Sequence, residues 1–273
     1  MGFRKVAASR GAGWIIDGLT VMRSNPLPIA HLCLLFGLLS LMPLVNIAAA
    51  LAGVFLSGGL VSALHIQAQG GPASAARLFD GFMQPGAFVR LLPIAMLKIG
   101  FAVLVGIVLA PTVAPLMDEL VRQAGSGGPP KIAPALIEQV MPALMQRLLW
   151  VMPAWVVVNW WVSLSLPRAM LAGVPGLIAL REAVPALLAN LGALLVNALC
   201  ALLLLLLAML PVIVVASIAA ASPGFGSFLQ LPLLVLLTAA VFAFDGAVMY
   251  QAWREIFADP DQENVPPLTQ IEA

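Results

Sequence analysis

Long apolar runs alternate with short polar stretches along the whole chain. A helix that crosses a bilayer needs about 20 apolar residues, and six runs approach or exceed that length. They lie at about 28–45, 47–68, 88–117, 148–166, 187–219 and 228–253. Tight corners join the first run to the second and the fifth to the sixth, so the pattern predicts three helical hairpins. The predicted fold is all-α: one polytopic membrane domain over residues 1–258, followed by a disordered cytoplasmic tail, 259–273.

The stretch before the first run, residues 10–24, is short and amphipathic, and prolines follow it at positions 26 and 28. Apolar side chains at helical spacing form one face, whereas Arg10, Asp17 and Ser24 lie seven residues apart on another. We expect such a helix to lie in the membrane interface, with the prolines turning the chain into the first span. The residues assigned to this interfacial helix are Arg10, Trp14, Ile15, Asp17, Gly18, Leu19, Met22 and Arg23.

Two later segments have the same layout, ahead of the second and third hairpins. They cover residues 74–88 and 175–192, and each has a proline, Pro85 or Pro185, before the next apolar run. Their charged residues are Arg77 and Asp80 in the first segment and Arg181 and Glu182 in the second. Any loop between two hairpins tends to be mildly amphipathic and to contain a proline, which is the alternative explanation. Because internal symmetry is common in such proteins, we predict an interfacial helix before every hairpin.

The longest polar connection joins the third run to the fourth. Its second half, from Pro134 to Met145, places Leu136, Val140 and Leu144 at four-residue spacing. This spacing predicts a separate helix with its apolar face on the membrane surface.

Composition supports a membrane protein. Hydrophobic residues make up 62% of the 273 positions and charged residues 9%, whereas soluble domains carry about 25% charged residues. The net charge of +1 leaves no basic surface for nucleic acid. Cys33 and Cys200 both lie inside apolar runs and form no disulfide framework.

The distribution of basic residues predicts the orientation. Nine of them fall on one predicted side of the membrane, three fall on the other, and Lys98 lies inside a span. The nine are Arg4, Lys5, Arg10, Arg23, Arg77, Arg90, Arg168, Arg181 and Arg254. Since cytoplasmic loops carry the excess of Lys and Arg, this side is predicted to be cytoplasmic, with both termini.

The run KVAASRGAGWIIDGLTVMRSNP contains Arg-Gly, a Trp-Ile pair, a glycine and a proline at a distinctive spacing. The matching residues are Arg10, Gly11, Trp14, Ile15, Gly18 and Pro26. With the apolar hairpins that follow, this run resembles the opening of an uncharacterised family of proteobacterial inner-membrane proteins. The chain departs from that pattern at Leu19, where the family has an aromatic residue, and at Val21 and Met22, where it has Leu-Phe. The resemblance implies the bacterial inner membrane and no activity.

The layout more distantly resembles the membrane domain attached to some glycerophosphodiester phosphodiesterases. The hydrolase domain of those enzymes has no counterpart in this sequence.

A metal or redox site is one interpretation of His31, Cys33 and His65, which are all expected near the same membrane side. The His-x-Cys spacing matches no recognised zinc pattern, however, so interfacial packing is the preferred interpretation. Ser57 and the glycines after it resemble an intramembrane protease nucleophile, but His65 is on the same helix rather than a facing one. We predict no catalytic site, metal or cofactor, and no enzymatic activity.

Lys98 and Asp245 are predicted to form an intramembrane ion pair. Lys98 lies eight residues beyond Arg90 and Asp245 nine residues before Arg254, which places both about 12 to 14 Å into their spans. A lone charge at that depth costs at least about 2.5 kcal/mol, so each residue should seek the other. The pair is interpreted as a packing contact. A proton- or substrate-coupling site, or a lysine that snorkels alone, are the alternatives.

Two functional classes follow. A transporter usually places several polar groups along a path at bilayer depth, whereas these spans hold one lysine, one aspartate and a few asparagines. This inventory favours a noncatalytic accessory protein that organises partners or lipids through its interfacial helices. A small-solute transporter or channel is the alternative. The predicted partners are the lipid bilayer with its anionic headgroups, and another membrane protein or a second copy of the chain.

Overall fold

The computed structural model describes residues 2–24, 26, 30, 34, 45–71, 74–124, 133–221 and 223–257. Regular structure in these ranges is helical, without a strand, which confirms the predicted all-α class. The helices are α1 (Arg10–Ser24), α2 (Val45–Ala68), a 3₁₀ helix (Ala75–Phe79), α3 (Asp80–Met83), α4 (Ala87–Ala124), α5 (Pro134–Leu171), α6 (Gly176–Ala189), α7 (Leu191–Ala221) and α8 (Pro223–Phe257).

Four helices within these ranges contain stretches long and apolar enough to cross a membrane. The stretches are Ala87–Gln123, Pro134–Leu171, Leu191–Ile218 and Val235–Phe257. They coincide with most of the third to sixth predicted spans. In α2, which overlaps the second predicted span, the described apolar stretch is shorter, Ala52–Ala68. The first predicted span, about 28–45, lies outside the described residues apart from isolated positions, and the tail 259–273 lies wholly outside them.

Two of these helices are longer than the spans predicted for them. Both α4 and α5 have 38 residues, or about 57 Å of helix, against a hydrocarbon core of about 30 Å. The separate surface helix predicted from Pro134 to Met145 is wrong, because those residues are the first part of α5. Pro142 and Pro153 lie inside α5 and do not end it. A proline removes one intrahelical hydrogen bond, and the rest of a long apolar helix can continue around it.

The third short segment ends at a different residue from the one expected. Pro185 lies inside α6, and the chain breaks at Asn190 instead. The Asn190 side-chain amide donates to the carbonyl of Ala186 at 2.9 Å, and its backbone N–H also bonds back to α6. Asn190 thus satisfies carbonyls that the end of α6 would otherwise leave free, and α7 begins at the next residue.

The chain forms two compact units. The first consists of the described residues of Met1–Ala95 and Trp160–Ala273, and its core packs α1 against α7, α8 and α2. Its largest fully buried side chains include Trp14 and Tyr250.

The second unit, Met96–Asn159, is a pair of antiparallel helix segments from α4 and α5. The rings of Phe101 and Trp155 lie 5.9 Å apart, and the Arg147 guanidinium donates to the carbonyl of Val108. Among the described residues of this unit only Thr112 and Val140 are buried. Two packed helices cannot cover all of each other's apolar surface, and the other described residues of this unit are exposed or half-buried.

Candidate functional site: three docking joints at the helix ends

Each of the three short segments touches the backbone of a longer helix at a glycine. A Cβ built on these glycines would stand within about 2 Å of a carbonyl oxygen, a distance that no side chain tolerates. The added Cβ would lie 2.0 Å from Ala193 O at Gly11, 2.1 Å from Phe55 O at Gly81, and 2.0 Å from Arg90 O at Gly176. Close approach of this kind requires a small residue in the interface.

The contacts follow a cyclic order: the second and third short segments pack on long helices that precede them in the chain, and the first segment packs on the last two helices. The 3₁₀ helix and α3 pack on α2, which precedes them in the chain. In the same way α6 contacts α4 and α5, the helices that precede it. The first helix, α1, packs on the last two, α7 and α8. We call these contacts joint 1 (α1 on α7 and α8), joint 2 (the 3₁₀ helix and α3 on α2) and joint 3 (α6 on α4 and α5).

Joint 1 is centred on the carboxylate of Glu255, near the end of α8. It accepts hydrogen bonds from Arg10 Nε at 2.9 and 3.0 Å and from Trp14 Nε1 at 2.7 Å. Arg10 also pairs with Asp17 at 2.9 Å. The hydrogen bond that Arg10 donates to Glu255 raises the pKa of Arg10 above its usual value, against the opposing effect of burial, and Asp17 adds to the increase. Arg10 therefore stays charged, and Trp14, fully buried, has a partner for its one polar group.

The stretch before α1 adds backbone contacts to joint 1. Asn190 accepts a hydrogen bond from the N–H of Val6 at 2.8 Å and donates to the carbonyl of Arg4 at 3.1 Å. The N–H of Arg4 in turn donates to the carbonyl of Ile256 at 2.9 Å. At the other end of α1, the Gln67 amide donates to Ser24 Oγ at 2.9 Å. Joint 1 thus ties α1 to α2 as well as to α7 and α8.

Joints 2 and 3 also pair an acidic residue of the short segment with the longer helix. In joint 2, Asp80 accepts from Ser62 Oγ of α2 at 2.7 Å and from Arg77 at 3.3 Å. In joint 3, Glu182 pairs with Arg168 near the end of α5. Arg168 is buried, and its guanidinium also lies 5.0 Å from the ring centre of Phe257 in α8.

The apolar face predicted for α1 is divided in the structure. Trp14 and Ile15 are buried against protein, together with Gly18, but Leu19 is exposed and Met22 only half-buried. The buried face is centred on the glycines because they let α1 approach the neighbouring backbone. A Cβ on Gly18 would lie 3.1 Å from the backbone of α8. Helical periodicity identified an apolar helix here, but it put Leu19 and Met22 on one face with Trp14 and Ile15.

Joint 1 gives a physical role to most residues of the opening motif. Arg10 and Trp14 bind Glu255, Gly11 and Gly18 allow close contact, and Ile15 is buried. The motif residues in α1 therefore work together as a docking surface for the last two helices.

The other residues singled out from the sequence do not gather into one site. Lys98 belongs to the second unit and Asp245 to the first, and their ion pair stays a prediction. His65 Nδ1 lies 3.0 Å from Tyr250 OH, across α2 and α8. Ser57 Oγ donates to the carbonyl of Gly53 in its own helix. His31 and Cys33 lie outside the described residues. The described residues contain no cluster of His, Cys, Asp and Glu that could hold a metal ion.

Sequence reasoning missed the partners that the longer helices supply. Arg168 was counted only among the basic residues that predict the orientation, and Ser62 and Glu255 were given no role. One signal was available: each short segment carries an acid or base beside an apolar face, and a half-buried charge needs a partner.

Comparison with protein-family models, with curated proteins and with solved structures finds no match for this chain.

Proposed function

We propose that this chain is a multi-pass protein of the bacterial inner membrane, with six spanning helices in three hairpins and both termini in the cytoplasm. Support comes from the four helices suited to the bilayer and from the excess of basic residues on one predicted side. The resemblance of the opening motif to the proteobacterial family supports the same location.

Alkaline phosphatase fusions test this orientation, because the enzyme is active only after export. A fusion after Gly127 is expected to be active, and fusions after Gly71 or Ala273 are expected to be inactive. The reverse pattern would show that the orientation is inverted, and activity at all three sites would show that the span count is wrong.

We propose further that the protein is a noncatalytic accessory or organising protein that acts through lipids or protein partners. The observation that carries this proposal is that charged side chains hold the short segments to the longer helices at the three joints. Charged side chains of the short segments are bound to the ends of the longer helices: Arg10 to Glu255 and Glu182 to Arg168. Charges held in this way stabilise an assembly, and they are not arranged along a path for a solute.

Transport of a small solute is the alternative function. The observation that favours it is the presence of Lys98 and Asp245 within apolar helices, since ionisable residues at bilayer depth often mark substrate or proton pathways.

Charge movement in reconstituted membranes separates the two functions. Purified protein in proteoliposomes on a solid-supported electrode is expected to give no current in response to proton, sodium or small-solute gradients. The matched control is Asp245→Asn, which removes the aspartate charge with little change in volume. A current that is present in the original protein and lost in Asp245→Asn would replace the accessory role with transport.

A further inference from the structure

The surface of α1 has three faces rather than two. Residues advance by about 100° around an α-helix, and on this basis the buried face holds Gly11, Trp14, Ile15 and Gly18. An exposed apolar face with Leu19 and Ile16 follows the buried face in the direction of increasing angle. Ile16 is 66% exposed. Arg23 lies between these two side chains. The remaining face is polar and holds Thr20, Ser24, Asp17 and Arg10.

The helix of joint 3, α6, has the same division. Its buried face holds Gly176, Ala179, Leu180, Ala183, Ala186 and Leu187. The next face is exposed and apolar, with Val184, Leu188 and Leu177, the last 69% exposed. Arg181 borders this face, and the surface beyond it leads through Pro185 and the exposed Ile178 to Glu182.

Viewed along the chain, both helices have a buried face, then an exposed apolar face, then a face with a polar side chain, which on α6 is Glu182 alone. Three faces can follow in only two orders, and helices that dock in the same sense and meet the same surroundings share one of them. The shared order of α1 and α6 agrees with protein, an apolar medium and water around both helices.

The segment of joint 2 also presents apolar side chains away from the protein. Phe79 and Met83 are exposed, Met83 by 78%, whereas the Phe82 ring stacks on Phe55 of α2. Exposed apolar residues of this size, repeated on three segments next to bilayer-length helices, suit the boundary between headgroups and acyl chains.

We propose that these three segments form an interfacial belt that binds the bilayer. Leu19 and Ile16 of α1, Phe79 and Met83 of the 3₁₀–α3 segment, and Val184, Leu188 and Leu177 of α6 insert among acyl chains. Arg23, Arg77 and Arg181 bind the phosphates of anionic lipid headgroups. The long arginine side chains reach the phosphates while their stems stay among apolar groups. This inference rests on the proposed accessory function, for which it names lipid as the partner.

Spin labels on adjacent residues test the position of the belt. In full-length protein that lacks Cys33 and Cys200, labels are placed at Leu19 or Thr20 in α1 and at Leu177 or Ile178 in α6. Leu177 and Ile178 are matched: both are apolar and exposed, and they point about 100° apart. In bilayers, labels at Leu19 and Leu177 are expected to collide with oxygen, and those at Thr20 and Ile178 with a water-soluble nickel complex. Equal access within either pair, or the opposite order, would overturn the proposal.

Spin-labelled lipids test the choice of headgroup. In bilayers that mix phosphatidylglycerol with phosphatidylcholine, the anionic lipid is expected to be enriched beside the protein. Arg23→Gln and Arg181→Gln should each weaken its binding at the belt by about fivefold at low salt. The matched control is Arg122→Gln, which removes an exposed arginine from the end of α4. Equal loss in the control, or no loss in the belt variants, would show that the belt does not recognise the headgroup.

These outcomes are independent of the test for transport. A current lost in Asp245→Asn would end the accessory role while leaving the belt in place. Failure of the label pairs would remove the belt without bearing on solute movement.

Discussion

Gly11→Ala is expected to destabilise the protein by about 3 kcal/mol, the upper part of the range for overpacking in a tight interface. The new Cβ would stand 2.0 Å from the carbonyl oxygen of Ala193 and 2.7 Å from the backbone nitrogen of Asn197. Neither atom can move without moving α7, so α1 must shift outward and weaken the hydrogen bond from Trp14 to Glu255. The opposing gain in helix propensity is only about 1 kcal/mol.

Gly106→Ala, inside the long helix α4, is the control. Its Cβ would meet no heavy atom within 4 Å, so we expect a change near zero or a small gain in stability. Unfolding in mixed detergent micelles, followed by tryptophan fluorescence, measures both free energies. Equal stability of the two variants would show that α1 does not dock closely on α7.

Glu255→Ala is expected to cost about 2 to 3 kcal/mol of folding free energy. The change leaves the buried Trp14 Nε1 without an acceptor, a loss of about 1 to 3 kcal/mol. It also removes the partner of Arg10, which contributes less because the Arg10 side chain is 43% exposed. The same unfolding experiment measures this loss.

A double-mutant cycle distinguishes loss of the hydrogen bond between Trp14 and Glu255 from a general effect of removing a charge. In the Glu255→Ala background, Trp14→Phe removes the unsatisfied N–H, so the double variant should be more stable than the sum of the single losses predicts. Glu119→Ala provides the surface control. That carboxylate pairs with Arg122 on an exposed part of α4 and should have no measurable effect. Additive losses at Trp14 and Glu255 would contradict the contact.

The cyclic order of the joints explains why residues far apart in sequence are coupled. Arg10 and Glu255 are 245 positions apart, yet they form one joint. Joint 2 connects segments within 30 residues of each other, for example Ser62 with Asp80. Joint 3 connects α6 with helices that precede it, for example Glu182 with Arg168. Joint 1 must therefore close last during synthesis, because it needs the final helix.

Hydropathy alone predicted the all-α class and the positions of the four long apolar helices. The reason is physical: a spanning helix satisfies its own backbone and meets lipid on most sides, so its composition is a local property. The charges of the short segments, including Arg77, Asp80 and Glu182, were also evident as local patterns. The ends of these elements were less predictable, since Pro134 begins a continuous helix and Asn190, rather than Pro185, ends α6.

Only the tertiary structure decided which face of α1 meets protein and which partner each charge finds. Burial of Trp14 depends on Gly11 and Gly18, which let α1 pack against two helices from the other end of the chain. A local sequence pattern cannot show a contact between segments so far apart. Glu255 is one acid beside an arginine in the sequence, and it becomes the centre of joint 1 because folding brings Arg10 and Trp14 to it. The sequence determined what each segment could contact, whereas long-range packing selected the contact, because the free energy of docking arises between segments and not within them.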